Sequence, residues 1–177
     1  SARRIAGLQT RRRSLAGRTG CGLCGVDSLD AVLRLVPVSP ASGLVSRQAI
    51  ERAMSALPSL QTINKMNGAS HAAGWAAADG TLTAVREDVG RHNALDKLAG
   101  ALARTGAAPG GGFVVVTSRC SYEMVQKAAS LGAVAIAAVS APTSLAIETA
   151  EQAGIALAAF VRNGRLTVYA NADRITT

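Results

Sequence analysis

The chain has 177 residues, of which 49% are hydrophobic and only 3% aromatic. That length supports one sizeable core, and the Ala-, Val-, Leu- and Gly-rich composition suits helices packed closely on a sheet. It excludes a disordered chain, and no apolar run is long enough to span a bilayer. The net charge of +8 is local: residues 1–20 carry six arginines and no acid, whereas the rest carries 13 basic and 11 acidic side chains.

The Arg-rich start has no apolar stretch, so it does not read as a secretory signal. An arginine run can meet an anionic cofactor, an acidic protein face or nucleic acid, and taken alone it is a solvated arm. Scarce aromatics and the lack of a zinc-finger or RNA-recognition signature argue against nucleic acid. Three cysteines, an odd number, argue for a reducing compartment rather than a disulfide framework. The start at Ser1, without Met, reads as a piece of something longer.

Taken in order, residues 19–25 (Thr-Gly-Cys-Gly-Leu-Cys-Gly) predict a mobile loop, because glycines surround both Cys21 and Cys24. A short helix over 27–35 and a linker over 37–43 follow. Ser46 is a plausible N-cap for a helix to about residue 56, stopped by Pro58. Residues 69–77 and 81–85 predict two strands joined at Asp79-Gly80. Residues 91–104 predict a helix with Leu95, Leu98 and Leu102 on one face. Strands over 113–117 and 134–139 then alternate with helices over 122–131 and 143–153, the last stopped by Gly154. Residues 155–160 and 166–169 predict a closing hairpin at Asn163-Gly164. The pattern predicts an α/β fold with a mainly parallel sheet, helices on both faces and one antiparallel edge hairpin. The expected organisation is an arm with the cysteine loop over 1–25 and an α/β domain over 26–177.

Four places concentrate chemistry. Cys21 and Cys24 can bridge, share a metal or relay sulfur. A zinc site wants four well-spaced ligands, and Cys120, His71 and His92 are scattered. The arginines ahead of Cys21 favour its thiolate, which can take sulfur from a persulfide by displacement. Second, Glu87, Asp88, Arg91 and His92 crowd the start of a helix, where Asp88 alone would serve as a cap. Third, Arg119 stands where a strand ends and a helix begins, a natural anion site, with Ser118 and Ser121 as possible caps and Cys120 as inert packing. Fourth, Phe160, Val161, Arg162, Asn163, Gly164 and Arg165 place two arginines around a tight turn. That is either a phosphate clamp or a solvated turn.

Residues 12–26 (Arg-Arg-Ser-Leu-Ala-Gly-Arg-Thr-Gly-Cys-Gly-Leu-Cys-Gly-Val) closely resemble the cysteine loop of the formate dehydrogenase accessory sulfurtransferases, the FdhD family. The resemblance continues through residues 71–73, 87–97 and 118–127 and ends near Tyr169, so it covers almost the whole chain. It implies that Cys21 accepts sulfur from a cysteine desulfurase as a persulfide and that Cys24 completes the relay. The acceptor would be a molybdenum bis(pterin guanine dinucleotide) cofactor destined for formate dehydrogenase, bound transiently, with GDP as its mimic. It further implies a cytoplasmic homodimer with a cytidine deaminase-like core and a cofactor site that includes residues 160–165, joined in our reading by Arg91, His92 and Arg119. Family members usually carry a further β-rich part ahead of the Arg run, and this sequence is expected to begin just after the point where that part would end. No resident metal is expected. The deaminase reaction itself is disfavoured, because no His or Cys precedes a Glu by two residues and no Pro-Cys-x-x-Cys follows. A non-catalytic scaffold, zinc-stabilised or cofactor-binding, is the rival reading.

Overall fold

A computed structural model describes residues 43–105 and 111–177. The cysteine loop, the arm, the helix expected over 27–35 and most of the linker lie outside the described residues.

The described chain opens with strand β1 (Val45–Ser46) and helix α1 (Arg47–Ala56). Ser46 caps α1 as its sequence suggests, its hydroxyl accepting from the Ala49 N–H at 3.0 Å. A 3-10 turn (Leu57–Leu60), which starts with Pro58 in its first positions, and a short helix α2 (Thr62–Asn67) follow. Next come strands β2 (His71–Ala76) and β3 (Leu82–Asp88) and helix α3 (Arg91–Arg104). Strand β4 (Phe113–Val116), helix α4 (Tyr122–Ser130), strand β5 (Ala135–Ala138) and helix α5 (Ser144–Ala153) alternate as expected. Strands β6 (Ala156–Arg162) and β7 (Arg165–Ala170) form the closing hairpin. A two-residue strand β8 (Ile175–Thr176) pairs in parallel with β1.

One six-stranded sheet carries the domain, in the order β3-β2-β4-β5-β6-β7. β4, β5 and β6 pair in parallel, and β7 returns antiparallel to β6. β2 is antiparallel to both of its neighbours, β3 and β4. Four strands therefore run one way, as a mainly parallel sheet requires, but antiparallel pairing occurs at both ends rather than at one. The hairpin signal at Asp79-Gly80 was local and correct. What it did not show is that β2, and not β3, takes the place beside β4.

Helices cover both faces. Alternation along β4 sends Val114 and Val116 toward α3, α4 and α5, with Leu95, Leu98, Met124, Ile136 and Leu157. Phe113 and Val115 face the opposite way, onto α1 with Ile50, Ala53 and Leu57. On that face β5 contributes Ala135 and Ala137, and β6 contributes Ala156 and Ala158 before Val161; the small alanine side chains let α1 sit close.

Two glycines are required by their surroundings. Gly80 has φ of +87°, and a Cβ there would stand 2.3 Å from the Ala49 carbonyl oxygen. Gly112 lies against Trp75, where a Cβ would stand 2.4 Å from the indole ring. Gly112→Ala should therefore destabilise the domain by about 1–3 kcal/mol through overpacking. Urea unfolding should show it as a lowered midpoint with an unchanged slope; a wild-type midpoint would mean that the indole moves aside without strain.

The outer edge of β3 is blunted by cations. The Arg86 guanidinium donates to the Val85 carbonyl at 2.7 Å, and the Lys97 ammonium donates to the Glu87 carbonyl at 3.2 Å. Basic side chains on an edge strand discourage edge-to-edge pairing. Among the described residues, no helix is long and apolar enough to cross a membrane.

Candidate functional site

Because β3, β4, β5 and β6 share one direction, their carboxyl ends share one rim of the sheet. In open α/β sheets this rim is where ligands bind. Three of the four chemical clusters read from the sequence reach it; the fourth, Cys21 and Cys24, lies outside the described residues.

The β3–α3 junction divides its labour. Glu87 is buried, and its carboxylate accepts from the backbone N–H groups of Ile63 at 2.8 Å and Asn64 at 2.9 Å, and from the Ser70 hydroxyl at 3.1 Å. It caps α2 from a distant strand. Burial pushes its pKa up, but the two backbone N–H bonds and the Ser70 hydroxyl outweigh this and leave it below the ordinary value. Asp88 accepts from the Gly90 N–H at 2.9 Å and the Asn93 amide at 3.2 Å, and pairs with Lys97. Its hydrogen bond with Lys97, helped by the Gly90 N–H, lowers its pKa to about 2. The expectation that Asp88 caps α3 is corrected: Gly90 holds the N-cap position with no side-chain cap, and Asp88 instead fixes the turn before the helix, while Glu87 proves structural as well.

Arg91 and His92 differ from these. His92 is only 5% exposed, yet among the described residues neither ring nitrogen has a hydrogen-bond partner, and the Arg91 Nε is also buried without one. Burial, then the Arg91 charge, lowers the pKa of His92, so its imidazole is neutral at neutral pH. His71 stands at the start of β2, opposite Asp88 in the ladder, and is lowered by the same two causes.

At the β4–α4 junction, Arg119 is exposed on the rim. Ser118 donates to the Arg119 carbonyl at 2.9 Å and so does not cap the helix. Ser121 occupies the N-cap position of α4, but its hydroxyl makes no capping bond and, among the described residues, is buried without a partner, as is Oε2 of Glu123. The expectation that these serines cap α4 is thus corrected: the first turn of α4 is left without a side-chain cap. Cys120 is fully buried, and burial followed by the Glu123 charge pushes its pKa up to about 12. It stays a thiol, as its reading as inert packing requires. Its backbone joins two loops, the N–H donating to the Ala141 carbonyl at 3.2 Å and the carbonyl accepting from the Thr143 N–H at 3.0 Å.

The β6–β7 turn completes the rim. Asn163 and Gly164 both have positive φ, 52° and 69°, the geometry of a type I′ hairpin. Arg162 and Arg165 are direct cross-strand partners, exposed, and neither makes an ion pair among the described residues. Like charges placed opposite each other destabilise a hairpin, and a bound anion would relieve them. Arg47 of α1 braces the turn by donating to the Gly164 carbonyl at 3.3 Å. Val161 packs into the core on the α1 side and leaves only backbone for a ligand. Phe160, 36% exposed, adopts φ of 53° beside a break in the ladder register, with its ring 6.4 Å from that of Tyr169. A bulky residue in the left-handed region is strained, and such strain gathers at functional sites. Among the described residues, no three His, Cys, Asp or Glu side chains come together as metal ligands.

Fold and rim together define an α/β protein with an anion-suited edge. Comparison with known proteins gives the family. The sequence model of the FdhD/NarQ family matches residues 1–176, and the chain belongs to that family. It is 55% identical over 168 residues to the sulfur carrier protein FdhD of Bordetella parapertussis, covering 95% of this chain and 61% of that one. It is 53% identical over 171 residues to the protein of the same name from Variovorax paradoxus, covering 97% and 62%. The chain thus spans about three-fifths of the length of these relatives. A crystal structure described as a formate dehydrogenase accessory protein from Desulfotalea psychrophila superposes with a TM-score of 0.72 at 28% identity, covering 80% of this chain and 61% of the other.

Proposed function

We propose that this chain is the relay and cofactor-binding part of a sulfur carrier that receives persulfide sulfur from a cysteine desulfurase. It passes that sulfur to a molybdenum bis(pterin guanine dinucleotide) cofactor destined for formate dehydrogenase. Family membership and the sulfur carrier names of its relatives support the reading, and one structural observation carries the cofactor part of it. The opposed Arg162 and Arg165 at a ligand-binding rim are a charge arrangement that an anionic ligand completes. A cytoplasmic homodimer and a cytidine deaminase-like core belong to the same reading.

The chemistry needs two thiols. The Cys21 thiolate attacks the outer sulfur of the desulfurase persulfide, the donor cysteine leaves as thiolate, and Cys21 carries S–SH. The Cys24 thiolate then attacks the inner sulfur. A Cys21–Cys24 disulfide forms and the outer sulfur leaves as hydrosulfide for the acceptor. The two cysteine sulfurs are oxidised, the transferred sulfur is reduced, and a dithiol reductant resets the pair. The Arg-rich segment before Cys21, with Arg18 three residues away, favours its thiolate over that of Cys24.

Intact-mass analysis after incubation with a desulfurase and cysteine tests this. The wild type should gain the mass of one sulfur and Cys21→Ala should gain none. Cys24→Ala should keep part of the gain but fail to release it, and Cys120→Ala should behave as wild type because its thiol is buried. A persulfide that survives Cys21→Ala and disappears in Cys24→Ala would reverse the roles, and no gain in the wild type would sink the relay.

A further inference from the structure

The outer flank of α3 meets the edge strand β3 in a groove of about 440 Å³, lined by Arg86, Asp96, Lys97, Gly100 and Arg104. Lys97, Gly100 and Arg104 follow one helical stripe, since positions three and four apart are neighbours on a helix surface. Gly100 makes the gap in that stripe. A glycine inside a helix is destabilising relative to alanine, because it has more backbone freedom to lose. Packing does not require this one. Its backbone is helical, and a Cβ there would meet nothing nearer than the end of the Arg104 side chain at 3.7 Å. The missing side chain keeps the groove open.

The charges in the groove do not cancel. Lys97 pairs with Asp88 at 2.5 Å, and Asp96 pairs with Lys127 at 2.7 Å. Arg86 and Arg104 are exposed, and neither has an acidic partner among the described residues. Two guanidinium groups therefore remain uncompensated in one groove, each with a planar fork that matches a carboxylate. The strand side is closed to main-chain pairing, because the Val85 and Glu87 carbonyls already accept from Arg86 and Lys97. A ligand here is met by side chains.

We propose that this groove docks an acidic segment of a partner protein, with one carboxylate at Arg86, a second at Arg104 and the segment's backbone over Gly100. Docking here uses none of the residues assigned to the relay or to the cofactor site. The lining favours a protein over a nucleic acid. Asp96 lines the same groove, and a continuous phosphate backbone would run against its carboxylate. Carboxylates on a peptide can be spaced to avoid it. The groove also offers no aromatic side chain on which a base could stack.

Site-resolved NMR titration of the full chain tests this, with a synthetic peptide of alternating glutamate and glycine as the probe. The amides of Arg86, Gly100 and Arg104 should shift together and saturate, and added salt should weaken the binding. Arg86→Glu with Arg104→Glu removes two attractive contacts and adds two repulsive ones, so affinity at the groove should fall about tenfold or more. Gly100→Leu fills the groove with a better helix former. It should weaken the peptide about tenfold while the melting temperature stays at or above that of the wild type. Shifts confined to residues 1–20 or to the Arg162–Arg165 turn would overturn the proposal, because arginines elsewhere would then hold the peptide. Equal affinity at the groove in the wild type and the charge-reversed variant would overturn it too. A single-stranded oligothymidylate that saturates the groove more tightly than the peptide would overturn the protein partner in favour of a nucleic acid.

Discussion

GDP should bind the wild-type protein, and Arg162→Ala combined with Arg165→Ala should weaken that binding by one to several orders of magnitude. Each charge-assisted phosphate contact contributes roughly 1.5–3 kcal/mol, or about ten- to a hundredfold in affinity. The pair stands face to face across a type I′ turn that Arg47 holds from α1, so the backbone that carries both arginines is set before the ligand arrives. Removing them should also flatten the salt dependence of the affinity, because exposed charge contacts are the part that ionic strength screens. Hairpin stability should not suffer, since two like charges facing each other are removed. Persulfide loading on Cys21 should be unaffected. Calorimetry at two salt concentrations reads all of this, and unchanged GDP affinity in the double variant would return the arginines to an ordinary solvated turn.

The second large effect concerns stability. Glu87→Ala should lower stability by about 2–3 kcal/mol, because two N–H donors of α2 and the Ser70 hydroxyl lose a charged acceptor. At about 2–4 °C per kcal/mol for a chain of this size, the melting temperature should fall by roughly 4–12 °C. Glu87→Gln, which keeps one carbonyl acceptor, should fall between. The sign of the pH effect follows from the folded-state pKa values. Glu87 and Asp88 are both lowered on folding, so their contributions are fully present above the ordinary carboxylate pKa values of 4.5 and 3.8. They are lost as the pH falls, for Asp88 down to about 2. The Glu87→Ala variant should therefore lose part of the acid-induced decline in stability seen in the wild type. Thermal melts between pH 2 and pH 7 read both effects, and a wild-type melting temperature in Glu87→Ala would show that water replaces the carboxylate at no cost.

These two residues mark how far the sequence could be read. Asn163-Gly164 was legible because a type I′ turn needs positive φ at two neighbouring positions, a demand met by those residue types alone. Glu87 was legible only as one charge in a crowd. Its partners lie 17 to 24 positions earlier, and nothing local in Glu87 points to Ile63, Asn64 and Ser70. Helix α2, which buries none of its residues, has no apolar stripe to announce it; an acceptor from another strand helps to hold it.

The same division runs through the whole protein. By itself the sequence determined the elements whose signals are local: the α3 stripe of Leu95, Leu98 and Leu102, the cap at Ser46, the left-handed stop at Gly154, and the alternation that made an α/β fold. The thiol chemistry proposed for Cys21 and Cys24 was likewise read from the sequence alone, from residue type, spacing and neighbouring charge. Only the tertiary structure decided that β2 enters antiparallel between β3 and β4, and that Phe160 takes a left-handed conformation. Only there do atoms of Arg91, His92, Ser121 and Glu123 become buried without partners among the described residues. Pairing order, strain and unmet hydrogen bonds depend on groups that meet across the sheet from distant parts of the chain, and no local pattern of residue types encodes those meetings.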